Sequence, residues 1–116
     1  MARGLRTIRR GEVFWVDPGP VVGHEQGGVR PVLVISHGIF NDASRTVIAM
    51  AVTTRPPRGG FPVSCALESG GLPHRSWVKT WQVRTYSAER LGRRIGRVGE
   101  AEVDRAVEGL LEIVGR

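Results

Sequence analysis

The feature that most constrains the fold of this chain is a succession of short apolar runs, each ended by proline or glycine. Four runs precede residue 70 and span residues 11–17, 31–36, 46–53 and 61–67. Runs of this length, rich in β-branched and aromatic residues and bounded by turn formers, are typical of β-strands. The run at 31–36 is uninterrupted, which predicts a strand covered on both faces. The stretch Gly38–Ser44 is rich in turn formers and is predicted as a turn.

A fifth run, residues 76–85, has an alternating pattern. Strand alternation predicts two faces: one with Trp77, Lys79, Trp81 and Val83, the other with Val78, Thr80, Gln82 and Arg84. The second face carries polar groups suited to meeting a ligand. Ser87 is predicted to cap one helical turn ending near Leu91, and residues 93–98 are predicted as a last short strand.

The last segment has apolar residues at helical spacing, namely Val103, Ala106, Val107, Leu110, Leu111 and Val114. It is predicted to be an amphipathic helix, and its acidic first turn suits the helix dipole. Short strands followed by a helix indicate a mainly β fold: a small, strongly bent antiparallel sheet or SH3-like barrel closed by the C-terminal helix. We expect a single domain over residues 1–116, with residues 1–10 as a flexible N-terminal arm.

The composition argues against a membrane protein and against a metal-binding protein. No run approaches the roughly 20 apolar residues of a membrane helix, so we expect a cytoplasmic protein that is not bound to a membrane. The single cysteine, Cys65, lies in an apolar stretch and is expected to be a packed thiol. The three histidines lie in separate segments without the spacing of metal ligands, so we expect no metal and no cofactor.

Positive charge is concentrated in the body of the chain. Residues 1–98 carry 15 Lys and Arg against 6 Asp and Glu, whereas residues 99–116 carry 2 against 5. Such a surplus attracts polyanions and favours a nucleic-acid partner. A general preference for arginine is the alternative, since the chain has 16 Arg and one Lys, but it does not explain the excess of cations over anions.

Three motifs follow one another in order along the chain. The first is a strand, a glycine-rich loop and the start of the next strand: Gly11, Glu12, Val13, Asp17, Gly23, Glu25, Gln26, Gly28, Arg30 and Pro31. The second is Val52-Thr53-Thr54 at the end of an apolar run. The third is Gln82-Val83-Arg84-Thr85 with the later Arg90-Leu91 and Ile95-Gly96-Arg97-Val98. In this order and spacing, the chain resembles the MazF/PemK family of toxin ribonucleases from residue 11 to about residue 114.

The resemblance implies a MazF/CcdB/Kid-like fold and the toxin of a type II toxin–antitoxin system. It implies a homodimer that is blocked by a cognate antitoxin and cuts single-stranded RNA at specific sequences without a metal. In metal-free cleavage, the RNA 2′-hydroxyl attacks the adjacent phosphorus and leaves a 2′,3′-cyclic phosphate and a 5′-hydroxyl end. The enzyme must take up one proton, stabilise the charged phosphorus and supply a proton to the leaving oxygen.

Arg30 and Thr53 match the catalytic pair of the family. Arginine offers two parallel donors to phosphate oxygens, and a threonine hydroxyl at a strand end adds another. A guanidinium rarely gives up its proton, so Arg30 is suited to stabilise charge and poorly suited to act as the base. The base is left open among Glu25, His24 and the substrate itself. His24 departs from the small residue that is common before the glutamate in this family.

Further residues are expected to bind RNA by resemblance and by position: Gln82, Arg84, Arg55, Arg58 and His24. Trp77 and Trp81 are expected to be core or dimer contacts rather than a stacking platform. Two other functions remain open. One is a gyrase-targeting toxin of the CcdB type, which predicts an apolar or aromatic chain end in place of Ile113-Val-Gly-Arg116. The other is an RNA-binding module without catalysis.

Overall fold

The computed structural model describes residues 7–17 and 29–115. The strands are β1 (Glu12–Val16), β2 (Arg30–Val34), β3 (Thr46–Thr53), β4 (Ser64–Leu67), β5 (Ser76–Ser87) and β6 (Leu91–Arg97). The helices are α1 (Gly38–Ser44) and α2 (Glu100–Val114), and a 3₁₀ turn spans Ala88–Arg90. The predicted strands are confirmed with small shifts of their ends, as is the turn capped by Ser87, whose hydroxyl accepts a hydrogen bond from the Glu89 amide.

The six strands form one antiparallel sheet in the order β4-β5-β3-β2-β1-β6. The prediction of a mainly β fold with a C-terminal helix is confirmed, but closure of the sheet into a barrel is wrong. The two edges approach each other at glycines, because a Cβ on Gly96 would lie only 1.5 Å from the carbonyl oxygen of Gly70. The Ser69 hydroxyl donates to Glu102 and accepts from the Gly99 amide. Loop contacts therefore join the edges where a barrel would have a strand ladder.

Apolar side chains cover both faces of the sheet. One face packs on α2 and includes Val13, Leu33, Met50 and Val78, together with Val103 and Ala106 of the helix. The other face includes Phe14, Val32, Val34, Val47, Tyr86 and Leu91. In β2, Leu33 therefore points to one core while its neighbours point to the other, which confirms a strand covered on both faces.

Residues 38–44 form a helix, so the prediction of a turn there is wrong. The helix is too short to be stable alone, and a buried side chain holds it. The Asn41 amide donates to the carbonyl oxygens of Ile8 at 2.7 Å and Ser36 at 3.2 Å, and its oxygen accepts from the Ser36 hydroxyl. Arg45 ends the helix with a φ of 59°. Ser36 is five residues away from Asn41, but Ile8 is 33 residues away in the chain, so this contact leaves no local sequence signal.

Residues 7–10, the described part of the segment expected to be a flexible N-terminal arm, are packed on the fold instead. Ile8 is buried in the core. Arg10 donates to the carbonyl oxygen of Ile35 at 2.8 Å and pairs with Asp104 of α2 at 2.6 Å. Residues 1–6 lie outside the described part of the chain. Within the described ranges, no helix is long and apolar enough to cross a membrane.

Candidate active site

Arg30 and Thr53 lie at the meeting ends of two adjacent strands. Arg30 begins β2 and Thr53 ends β3, and the register of the two strands pairs Val32 with Ala51. Continuing this register by two residues sets Arg30 opposite Thr53. Opposite residues in an antiparallel pair have Cα atoms about 4.5–5.5 Å apart and side chains on the same face. Both predicted residues thus lie on adjacent strands at the same end of the sheet, with Arg30 exposed and Thr53 half-buried.

The Thr53 hydroxyl has one local partner. Its Oγ1 accepts a hydrogen bond from the backbone amide of Arg55 at 3.1 Å. This bond uses a lone pair of the oxygen and not its hydrogen, so the hydroxyl keeps its capacity to donate. The same bond fixes the start of the loop between β3 and β4. Thr53 is therefore oriented by the loop that carries Arg55 and Arg58.

A bulge in β5 rearranges the side chains next to this pair. Met50 of β3 lies opposite Val83, but the next residue, Ala51, lies opposite Lys79. The three residues between, Thr80 to Gln82, have no partner in β3. Because three is an odd number, the alternation of the strand is inverted across the bulge.

The prediction of two uniform faces for residues 76–85 is consequently wrong. Trp77 lies opposite Thr53 and shares its face, as Lys79 shares that of Ala51. Val78 instead joins Val83 in the core against α2. The fully buried Thr80 favours the bulge, because its hydroxyl donates to the carbonyl oxygen of Pro62.

Gln82 and Arg84 lie farther along β5. Arg84 is opposite Ala49, four residues before Thr53, or about 13 Å along the strand at ~3.3 Å per residue. Its guanidinium stacks on Tyr86 at 5.1 Å from the ring centre. Gln82 is half-buried within the bulge, between these two levels. The structure thus places both residues on the strand beside Thr53 without bringing Arg84 into its immediate neighbourhood.

The loop after Thr53 borders a cavity of about 310 Å³, which we term the Trp77 cavity. Its wall includes Arg58, Phe61, Cys65, Ala66, Trp77 and Arg105. Arg55 and Arg58 are both exposed, and only Arg58 lines the cavity. The sequence pattern did not indicate Trp77 as a site residue, because the pattern gives no sign of the bulge. Nor did it indicate Arg105, which lies on a distant helix.

Three further sequence candidates concern the proton acceptor, the cysteine and a metal site. Glu25 and His24 lie outside the described residues, so the structure carries no geometry for either proposed base. Burial raises the pKa of the Cys65 thiol, and the nearby Arg105 opposes this only in part. A raised pKa disfavours the nucleophilic thiolate and agrees with a packed thiol. In the described ranges, no three His, Cys, Asp or Glu side chains are grouped as metal ligands would be.

Comparison with known proteins agrees with the resemblance of the motifs. The model of a family described as "PemK-like, MazF-like toxin of type II toxin-antitoxin system" matches residues 9–114. Endoribonuclease EndoA of Bacillus subtilis (strain 168) is 36% identical over 105 residues, which are 89% of this chain and 90% of that protein.

Solved structures show the same fold. The crystal structure of MazF from Deinococcus radiodurans superposes with a TM-score of 0.78 and 25% identity, covering 96% of this chain and 99% of that one. A MazE-MazF crystal structure from the same organism gives a TM-score of 0.76 and 25% identity, covering 95% and 97%. The chain therefore belongs to the family of PemK-like, MazF-like toxins of type II toxin–antitoxin systems.

Proposed function

We propose that this chain is a metal-independent endoribonuclease that cuts single-stranded RNA at specific sequences and acts as the toxin of a toxin–antitoxin pair. The observation that carries the proposal is the position of Arg30 beside Thr53 on adjacent strand ends. A guanidinium and a hydroxyl placed together supply several donors to one phosphate group. The name of the Bacillus subtilis relative, an endoribonuclease, supports the same activity.

In the proposed reaction, the RNA 2′-oxygen forms a bond to the adjacent phosphorus and the bond from phosphorus to the 5′-oxygen breaks. The products are a 2′,3′-cyclic phosphate and a 5′-hydroxyl. Arg30 and Thr53 hold the phosphate oxygens as negative charge builds on them, which is the role of an oxyanion site. Glu25, His24 or the substrate takes the proton from the 2′-hydroxyl. The leaving 5′-oxygen receives a proton in return.

The remaining predicted residues hold the strand around the cut. Arg55 and Arg58 lie on the loop that follows Thr53 and are exposed, so we assign them to phosphates next to the scissile one. Gln82 and Arg84, together with His24, are assigned to neighbouring nucleotides. The separation of about 13 Å between the levels of Arg84 and Thr53 suits contacts to different nucleotides of one strand.

We further propose that the chain works in the cytoplasm as a homodimer and is inhibited by a cognate antitoxin. Solved structures of this fold include a MazE-MazF complex from Deinococcus radiodurans and an endoribonuclease in complex with its cognate antitoxin from Mycobacterial species. An antitoxin segment that covers the cationic surface around Arg30 would block RNA. Size-exclusion chromatography with light scattering tests the dimer, and a monomer at micromolar concentration contradicts it.

The central experiment is cleavage of a mixed-sequence RNA in EDTA with mapping of both new ends. We expect cyclic phosphate and 5′-hydroxyl ends, and no cutting where the 2′-hydroxyl at the cut is replaced by hydrogen. Arg30→Ala and Thr53→Ala each lower the rate about 100-fold or more, the scale of losing an oxyanion donor. Thr53→Ser keeps the hydroxyl and retains most of the rate. Arg93→Ala, at an exposed arginine of β6, is the matched charge control.

These assays distinguish a ribonuclease from a non-catalytic RNA-binding module, and internal attack from another mechanism. Absence of cleavage with retained RNA binding identifies a non-catalytic RNA-binding module, and absence of both contradicts the proposal outright. Cleavage that persists at a 2′-deoxy site refutes internal attack. Glu25→Gln and His24→Asn distinguish the proton acceptors, because removal of the base abolishes the acidic limb of the pH–rate profile. If neither variant changes that limb, the substrate is left as the acceptor.

A further inference from the structure

The Trp77 cavity lies directly beside the Arg30 and Thr53 pair. Trp77 is opposite Thr53 in the register of β3 and β5, and on its other side it is opposite Ala66 of β4. The mouth of the cavity is formed by the loop that begins after Thr53. A strand of RNA held at Thr53 would therefore lie close to the cavity.

The wall of the cavity combines aromatic rings with guanidinium groups. The Arg105 Cζ atom lies 4.1 Å from the centre of the Phe61 ring, and both residues line the cavity. The Arg75 Cζ atom lies 5.4 Å from the centre of the Trp77 ring, but Arg75 is not part of the wall. Guanidinium groups at these distances are attracted to ring faces and hold the rings in place.

The hydrogen-bonding groups of the cavity wall determine which kind of ligand the cavity can bind. Within the described residues, the lining holds the arginines 58 and 105 and no aspartate or glutamate. The Ser64 hydroxyl, also in the wall, already donates to the carbonyl oxygen of Gly59. The wall therefore offers cationic donors and a large π-surface, with few acceptors. A flat group that carries acceptors on its edge is the complementary ligand.

From these observations we propose that the Trp77 cavity binds a single nucleobase of the RNA strand beside the cut, stacked on Trp77, with guanine preferred. The proposal rests on the proposed ribonuclease function and names the group that reads its substrate. Stacking on an aromatic side chain accepts any base. The guanidinium donors of the wall favour guanine over the other bases, because guanine presents two adjacent acceptors, O6 and N7, to arginine. A volume of about 310 Å³, roughly ten times the ~30 Å³ of one liquid water, accommodates one base.

Binding is measured first with a short RNA made resistant by 2′-deoxy substitution at the cut, so that affinity is independent of cleavage. Trp77→Leu removes the ring and weakens binding roughly 10- to 100-fold, the range of one lost stacking contact. Trp77→Phe restores most of the affinity because it restores a ring. Trp81→Leu is the matched control, since Trp81 is an exposed tryptophan of the same strand and does not line the cavity. It leaves affinity within about twofold.

Specificity is measured by mapping cuts in a mixed-sequence RNA. We expect guanine enrichment at one position beside the cut, loss of that enrichment in Trp77→Leu, and partial loss in Arg105→Gln. An unchanged affinity and an unchanged cut pattern in Trp77→Leu overturn the inference and leave the ribonuclease proposal intact. Enrichment of another base at that position overturns the guanine preference. If the wild-type protein does not cleave RNA but its affinity for RNA still depends on Trp77, the ribonuclease proposal is refuted. The proposed base-binding site is then retained.

A third measurement does not depend on the folding of the Trp77 variants. The chain has three tryptophans, so Trp15→Phe combined with Trp81→Phe leaves Trp77 as the only one. Stacking of a base on this ring quenches its fluorescence when the resistant RNA is added. Quenching that saturates at the measured Kd supports the inference. Binding without any change of emission contradicts it.

Discussion

Substitution of Gly109 by alanine sets two opposing effects against each other in α2. Glycine in a helix interior is less favourable than alanine by about 1 kcal/mol, so helix propensity alone predicts that Gly109→Ala stabilises the protein. The packing predicts the opposite. A Cβ at this position would lie 2.5 Å from the carbonyl oxygen of Pro62 and 3.1 Å from the Thr80 Cγ2 atom.

The size of the packing effect follows from these distances. Ordinary contacts begin near 3.4 Å, so the Pro62 backbone and α2 must separate by about 0.9 Å. Overpacking of this kind costs about 1–3 kcal/mol. The shift also strains the hydrogen bond from Thr80 to Pro62, whose loss costs about 1 kcal/mol. After the propensity gain, Gly109→Ala is expected to lower the free energy of unfolding by about 1–3 kcal/mol.

Equilibrium unfolding in urea measures this change, with equal m-values required for the comparison. Gly60→Ala is the control, because a Cβ there meets no atom within 4 Å and the variant should lose no stability. A Gly109→Ala protein as stable as the wild type, or more stable, would show that helix propensity outweighs the close approach. The contact of α2 with Pro62 and Thr80 would then be looser than described.

Three further predictions concern stability and reactivity. Gly96→Ala separates the sheet edges at Gly70 and lowers the free energy of unfolding by about 2–4 kcal/mol, measured in urea; an effect below about 0.5 kcal/mol contradicts the contact. Asn41→Ala removes the amide bonds that hold α1 and costs about 2–3 kcal/mol by thermal unfolding, whereas exposed Asp42→Ala costs little. Because burial raises the pKa of Cys65 above 9.0, its protonated form stabilises the fold, and this contribution is lost as pH rises through the folded-state value. Alkylation in native protein should therefore begin at higher pH than in urea, and equal profiles contradict burial.

The strands were predictable because their signals are local. The run at 46–53 is bounded by a polar turn and a proline-rich loop, and β3 has these limits. The pairing of Arg30 with Thr53 is different in kind. The motifs named both residues by resemblance, but only the antiparallel pairing of β2 and β3 explains why they lie at the same end of the sheet.

The bulge in β5 could not be predicted because its causes lie elsewhere in the chain. Thr80 is held by the carbonyl oxygen of Pro62, and Gly109 of α2 contacts both. Residues 76–85 include neither Pro62 nor Gly109. Their sequence pattern alone therefore predicts a regular alternation, which places Trp77 on the wrong face. Helix α1 also depends in part on a distant residue, since the Asn41 amide donates to the carbonyl oxygen of Ile8, 33 residues away.

In the proposed enzyme, the inverted alternation of β5 also separates the residues of the reaction from those that select the RNA sequence. The proposed donors to phosphate, Arg30 and Thr53, belong to β2 and β3, whose regular pairing is held by two cores. Trp77 reaches the same face only through the bulge, and the rest of the cavity wall comes from a loop and from α2. Substitutions in the wall can therefore change which base is read without displacing the donors. If this division holds, Trp77 variants alter the sequence at the cut and the binding constant, whereas Thr53→Ala lowers the rate at unchanged cut sites.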